Sequence, residues 1–288
     1  MDVLSPTSLD DALALKAQRP DAAPLAGGTD VMVELNLGSD RPPAILDLTR
    51  VPELRERGRD DSHVRFGAGV TYTQVLAELA PELPGLAIAA RTIGSPQIRN
   101  RGTVGGNLGT ASPAGDALPP LCAAGATVEV ASVRGARTIP ARAFVVAPKV
   151  NALDDDELIV AIRSPVARGP QQFAKIGTRN AMVIAVASFA VALDARARTV
   201  SVAIGSAGPR ILDAPDAARF ATDELADLWE PRAPLPDSLA ARFGELAAAA
   251  ARPIDDVRGS ARYRRHALAV LARRTLTWAW NEQRRSPA

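Results

Sequence analysis

One cysteine, Cys122, and two histidines, His63 and His266, are all that 288 residues offer of the side chains that most often ligate metals. No internal disulfide can form, and an iron–sulfur cluster would lack its usual four thiolates. A histidine-based metal site or a Ser-His-Asp triad has little to draw on. Any redox chemistry must therefore use a bound organic cofactor. Apolar runs fall short of the roughly 20 residues that span a bilayer. The start, Met1-Asp2-Val3, lacks the basic and apolar stretches of a secretory signal, so a cytoplasmic location is expected. The formal charge is only +2, and the pI near 9.0 reflects arginine usage. Nucleic-acid binding would need a concentrated patch. Only the C-terminal helix offers one, through Arg258, Arg262, Arg264, Arg265, Arg273 and Arg274. These read instead as contacts to acidic groups on partner chains, or as a solvated face.

What is present suits a soluble globular protein, with 47% hydrophobic and 23% charged residues. Residues 8–17 read as a helix capped by Ser8, with Leu9, Ala12, Leu13 and Leu15 spaced for one buried face. A strand at 22–26, a helix at 31–37, strands at 44–47 and 64–68 and a helix at 73–79 complete a repeated strand, turn and helix pattern. Residues 86–121 are dense in glycine, proline, asparagine and serine yet too apolar for a linker. They read as a long ordered loop, a kind usually functional inside a compact domain. Strands follow at 126–131 and 137–140, as a hairpin around Gly135, and at 157–162, where Leu158, Val160 and Ile162 alternate. Strands at 173–176, 184–193 and 200–206 predict an antiparallel sheet, with helices at 214–220, 235–250 and 260–283. Boundaries near residues 60 and 170 divide the chain into segments 1–60, 61–170 and 171–288.

Two glycine-rich segments carry the chemistry. Leu25-Ala26-Gly27-Gly28-Thr29-Asp30 lies between a strand and a helix. Its glycines permit a tight turn with consecutive exposed N–H groups, and the helix start adds positive potential, so the nest suits a phosphate or pyrophosphate. A plain strand-to-helix turn would use the same residues. The second segment runs from Ile93 to Asp116. There Gly102, Gly105, Gly106 and Gly109 allow close backbone approach, while Thr103, Asn107, Thr110, Ser112 and Asp116 supply short polar groups. Neither is a Rossmann fingerprint. Gly67-Ala68-Gly69 follows a strand, but Tyr72 stands where the third glycine belongs. Together the segments point to a flavin site of a non-Rossmann type. Cys122 reads as an inert buried thiol, and Asp154-Asp155-Asp156-Glu157 as a solvated turn rather than a metal site.

These two segments closely resemble the flavin-binding signatures of the FAD-binding (medium) subunits of the molybdenum hydroxylase family, as in bacterial xanthine dehydrogenases and carbon monoxide dehydrogenase. The likeness continues through residues 153–165, through Phe173-Ala174-Lys175-Ile176-Gly177-Thr178-Arg179-Asn180-Ala181, and into Asp255-Asp256-Val257-Arg258-Gly259-Ser260-Ala261-Arg262-Tyr263-Arg264-Arg265. It implies an α+β fold: a two-lobed, non-Rossmann FAD-binding domain of the PCMH type, then a C-terminal antiparallel sheet with helices. It also implies an electron-transfer subunit that turns over no substrate alone. Its partners would be a small chain with two [2Fe–2S] clusters and a large molybdenum–pterin chain, in a dimer of heterotrimers. An external acceptor (NAD, a quinone or oxygen) would take the electrons; no nucleic acid and no membrane span is implied. Position by position, the backbone of Leu25, Ala26, Gly27, Gly28, Thr29 and Asp30 would wrap the pyrophosphate. Thr103, Gly106, Asn107 and Thr110 would complete the dinucleotide site, with Asp116 bonded to ribose or phosphate-proximal groups. Ile93 falls where some relatives place an aromatic ring, Ile159 would line the pocket, and Lys175 would sit near the ring system and favour the reduced anion. Two other functions remain open on the residues alone: a self-contained flavin-dependent oxidoreductase and a non-enzymatic basic binding module.

Overall fold

The computed structural model describes residues 1–38 and 41–286. The first lobe comprises β1 (Asp2–Leu4), α1 (Leu9–Gln18), β2 (Ala22–Leu25), α2 (Val31–Leu37) and β3 (Ala44–Asp47). Ser8 caps α1, its hydroxyl accepting the Asp11 N–H at 3.2 Å. The three strands form a parallel sheet in the order β1-β3-β2, its strands joined by helical crossovers. β1 escaped prediction because it is short and mostly exposed.

The second lobe begins with β4 (Arg57–Arg59), β5 (His63–Gly67) and a helical stretch in which α3 (Tyr72–Gln74) passes into one π-turn at Val75–Leu79. Four short helices follow: α4 (Pro84–Thr92), α5 (Pro96–Arg101), α6 (Val104–Thr110) and α7 (Leu118–Ala123). The expected long loop over 86–121 is therefore mostly helical. Pro96 stands in the first turn of α5 and Pro119 and Pro120 in that of α7, as Pro84 does in α4, where a missing N–H costs nothing. Ser95 and Thr103 are N-caps. Glycines lower the helix propensity of α6, but Gly105 lets it touch β5's exit, since a Cβ there would lie 2.5 Å from the Ala68 Cβ.

The lobe closes with β6 (Thr127–Ser132), β7 (Gly135–Pro140), α8 (Ala141–Phe144), β8 (Val145–Ala147), β9 (Val150–Asn151) and β10 (Leu158–Pro165). Its five-stranded antiparallel sheet is ordered β4-β5-β10-β6-β7. β10 is central, and Leu158 to Ile162 are all buried, not the alternate three, because both faces are covered and a bulge falls between Ile159 and Ala161.

The third lobe is the antiparallel sheet β11 (Gln171–Ile176), β12 (Ala187–Asp194) and β13 (Thr199–Gly205), then α9 (Pro215–Leu225), α10 (Asp237–Ala250) and α11 (Ala261–Arg285). The two faces of this sheet belong to different cores. Phe189, Val191, Leu193, Val202 and Ile204 face the C-terminal helices. Ala190 and Ala203 join the core of the first two lobes. Small residues on that second face admit α7: a Cβ at Gly205 would lie 2.8 Å from the Pro119 Cγ. On the opposite side α10 and α11 touch backbone to backbone, a Cβ at Gly244 falling 2.4 Å from the Ala269 carbonyl oxygen. Gly244→Leu must push these helices apart and is expected to lower stability by about 1–3 kcal/mol, measured as a lower urea midpoint with an unchanged slope.

Candidate functional site

The two glycine segments meet. A Cβ at Gly27 would lie 2.1 Å from the Arg101 carbonyl oxygen and 3.0 Å from the Gly102 Cα, so the first turn packs directly on the second segment's backbone. Gly28 holds φ +76°, a left-handed conformation that glycine adopts without penalty. Among the described residues the N–H groups of Gly27, Gly28, Thr29 and Asp30 have no backbone acceptor. Leu25 ends β2 opposite Asp47, and Leu25 through Thr29 are half-buried. A second tie is polar: the Thr110 hydroxyl donates to the Asp30 carboxylate at 2.7 Å.

Within the second segment, some polar groups build the scaffold and others are left without a protein partner among the described residues. Thr103 accepts the Gly106 N–H at 2.9 Å and is buried, so its hydroxyl builds α6. The Asn107 amide lies against Gly115, whose Cβ would meet its Oδ1 at 2.8 Å. Gly109 faces Ile159, which is buried in the bulge of β10, and the Gly109 carbonyl accepts from Asn151 Nδ2 at 3.0 Å. Ile93 is half-buried at the end of α4.

Asp116 and Lys175 form a buried ion pair at 2.5 Å, each side chain 9% exposed. The same ammonium donates to the carbonyls of Thr92 at 3.0 Å and Val183 at 3.1 Å. All three of its N–H bonds are thereby taken, leaving none for a ligand. Burial raises the Asp116 carboxyl to about 6 although the Lys175 ammonium pulls it down. Asp116 Oδ1 and Asn107 Oδ1 are buried without a partner among the described residues. Two unpartnered buried acceptors call for a donor-bearing ligand.

Tyr72 completes the group and was missed as a site residue. Its ring touches Gly102, its N–H donates to the Gly102 carbonyl, and its buried hydroxyl is likewise unpartnered. Burial first, and then the carboxylates of Asp116 and Asp30, hold its phenol well above the ordinary range. The residue that broke the Rossmann pattern thus packs on the second glycine segment. Gly67 and Gly69 are structural instead, both packed on the Leu54 carbonyl. Cys122 is fully buried, which pushes its thiol up to about 12. The acidic run is engaged by arginines: Asp154 and Asp156 with Arg134, Glu157 with Arg137. Arg264, expected at a partner or in solvent, is buried and donates to the Val186 and Ser206 carbonyls at 2.9 and 2.7 Å.

A backbone nest beside buried acceptors, on an α+β frame outside any Rossmann unit, defines a non-Rossmann dinucleotide-binding protein. Residues 1–167 match the FAD binding domain in molybdopterin dehydrogenase, and residues 172–279 match the CO dehydrogenase flavoprotein C-terminal domain. The nicotine 6-hydroxylase medium subunit of Paenarthrobacter nicotinovorans is 34% identical over 280 residues, 96% of this chain and 95% of that one. The xanthine dehydrogenase FAD-binding subunit of Escherichia coli O157:H7 is 36% identical over 176 residues, 60% of this chain and 59% of that one. A solved structure of the carbon monoxide dehydrogenase of Hydrogenophaga pseudoflava superposes with a TM-score of 0.89 at 29% identity, covering 98% of each chain. The chain belongs to the FAD-binding medium subunits of the molybdenum hydroxylase family. It is an oxidoreductase subunit whose cofactor is FAD.

Two outcomes follow from this geometry. Gly27→Ala places a methyl group into the Arg101 backbone and is expected to weaken FAD binding at least ~10-fold, read by fluorescence titration. Asp116 binds its proton more tightly in the folded chain than at the ordinary value of 3.8. Its contribution to stability therefore falls as pH rises from about 4 to about 6. Asp116→Asn is expected to remove this decline, on the order of 2–3 kcal/mol, when unfolding free energies are compared at pH 4 and pH 7.

Proposed function

We propose that the chain is the electron-transfer subunit of a xanthine dehydrogenase-like molybdenum hydroxylase. It receives electrons from [2Fe–2S] clusters on a small partner chain and passes them through FAD to an external acceptor (NAD, a quinone or oxygen). A large partner carrying molybdenum–pterin oxidises the substrate, and the complex is a dimer of such heterotrimers in the cytoplasm. The observation that carries this reading is the joining of the nest at Gly27–Asp30 to the second glycine segment at Arg101, Gly102 and Thr110, a segment that also carries the unpartnered acceptors of Asn107 and Asp116, in a chain with one cysteine and two histidines. Such a chain has a place for a dinucleotide and few ligands for a metal of its own. Among the described residues no helix is long and apolar enough to cross a membrane.

In this reading the N–H groups from Leu25 to Asp30 meet the pyrophosphate, Thr103 and Gly106 fix the start of α6, and Thr110 at its end ties Asp30 to it. Asn107 Oδ1 and Asp116 Oδ1 accept from hydroxyl or N–H donors of the ligand, and the Tyr72 hydroxyl supplies a further polar contact. Ile93 and Ile159 give the apolar wall. Lys175 does not bond the ligand; it orients Asp116 and offsets its charge. Bound FAD supplies the exchange between one-electron and two-electron carriers that no side chain here provides.

The relatives named after nicotine, carbon monoxide and xanthine share this chain's plan, which supports a substrate chosen elsewhere in the complex. The purified chain is expected to show the absorbance of oxidised flavin after FAD reconstitution and to lose it in Gly106→Trp. Without partner chains it is expected to oxidise none of a panel of N-heterocycles. Rapid oxidation by the chain alone would instead establish a self-contained flavoenzyme.

A further inference from the structure

Tyr72 is tied to the second glycine segment by backbone as well as by its ring. Val104 and Gly105 donate to the Val70 and Ala68 carbonyls at 3.1 and 3.0 Å, the Tyr72 N–H donates to the Gly102 carbonyl at 3.1 Å, and Thr71 bridges to Thr103. A capping box fixes the start of α3. Thr71 accepts the Gln74 N–H, and the Gln74 side chain accepts the Thr71 N–H at 2.9 Å. The Tyr72 ring is held by this frame, its Cδ2 and Cε2 each 3.5 Å from where a Gly102 Cβ would be. Gly102 is also the residue on which the first turn rests, its Cα 3.0 Å from the Cβ position of Gly27. The phenol and the nest share Gly102 as a neighbour.

The hydroxyl at the end of this ring is buried and has no partner among the described residues. Burial and the nearby carboxylates of Asp116 and Asp30 keep it protonated, so at neutral pH it is a donor without an acceptor. Each of those carboxylates has one oxygen engaged already. Thr110 donates to Asp30 Oδ2 at 2.7 Å, and Lys175 donates to Asp116 Oδ2 at 2.5 Å. Asp116 Oδ1 is left as a buried acceptor without a donor, and so is Oδ1 of Asn107, which lies against Gly115. A buried donor and a buried acceptor thus stand near one another, and no hydrogen bond joins them. Both are satisfied by a group that accepts from the phenol and donates to the carboxylate.

A hydroxyl does both at one oxygen atom, whereas an ionised phosphate only accepts. FAD carries such hydroxyls on its ribityl chain and on its ribose. We infer that Tyr72 is a specificity residue of the flavin site: its phenol donates to one sugar hydroxyl of FAD, and that hydroxyl donates in turn to Asp116 Oδ1. A site built in this way rejects a ligand that lacks the hydroxyl, because its own buried donor and acceptor are then left unpaired. The inference rests on the reading of the two glycine segments as the flavin site.

The test is a fluorescence titration of the full-length apoprotein with FAD and with analogues that each lack one hydroxyl of the ribityl chain or of the ribose. Tyr72→Phe keeps the ring against Gly102 and is expected to bind FAD at least ~10-fold more weakly, with the thermal midpoint of the apoprotein not lowered. The wild type is expected to bind one analogue at least ~10-fold more weakly than FAD. On that analogue Tyr72→Phe should lose nothing further, and which analogue it is separates the ribityl chain from the ribose. Tyr263→Phe removes the chain's other phenol, 46% exposed on α11, and as the control should bind FAD like the wild type. Wild-type affinity for FAD in Tyr72→Phe overturns the inference and leaves the phenol to a buried water. So does a loss in Tyr72→Phe that is equal for FAD and for every analogue, since the phenol then meets no sugar hydroxyl. A wild-type apoprotein that binds no FAD fails the reading of the segments itself, an outcome distinct from binding that Tyr72→Phe leaves intact.

Discussion

The ammonium of Lys175 joins three parts of the chain that are distant in sequence. It bridges the Asp116 carboxylate at the end of the flavin loop, the Thr92 carbonyl at the end of α4, and the Val183 carbonyl ahead of β12. Because β11 carries Lys175 out of the third lobe, the pair also docks that lobe on the first two. A buried charge without its partner is costly, so the interaction is strict in both directions. Removing Lys175 would leave a desolvated carboxylate, and removing Asp116 would leave a desolvated cation. The same pair engages one oxygen of Asp116 and leaves the other buried without a partner among the described residues.

Backbone contact is the other constraint. Gly27 on Arg101, Gly105 on Ala68 and Gly244 on Ala269 each mark a place where two segments approach too closely for a Cβ. The first two seat the second glycine segment on the first turn and on the exit of β5, and the third fixes the helix pair behind the C-terminal sheet. That sheet applies the same economy of volume across its faces: Phe189, Val191 and Leu193 fill one core, while Ala190, Ala203 and Gly205 leave room for α7 on the other. The third lobe is therefore a core of its own and a wall of the flavin domain at once.

Much of this was legible in the sequence. The Ser8 cap, the strand and helix alternation of the first lobe, the hairpin around Gly135 and the three antiparallel strands follow from periodicity and turn chemistry. The segment 86–121 did not, because its glycines and prolines read as loop. Prolines in first turns and hydroxyl caps made it four short helices, and tertiary contact with Ala68 and Tyr72 stabilised what propensity alone would not. Tyr72 and the arginine at 264 were misplaced for a related reason. A phenol at the start of a short helix and one arginine among six carry no local sign of burial.

Composition and pattern by themselves left one cysteine and two histidines as possible metal ligands, so that redox chemistry would need an organic cofactor, and they marked a small α/β lobe ahead of antiparallel strands. Those properties follow from which side chains exist and how they are spaced. Only the tertiary structure decided that Gly27 would rest on Arg101, that Lys175 would act through Asp116, and that the Tyr72 ring would lie against Gly102 with its hydroxyl buried. Each of these depends on groups brought together from far apart in the chain, and desolvation and close packing, which fix their roles, arise only once the lobes have met.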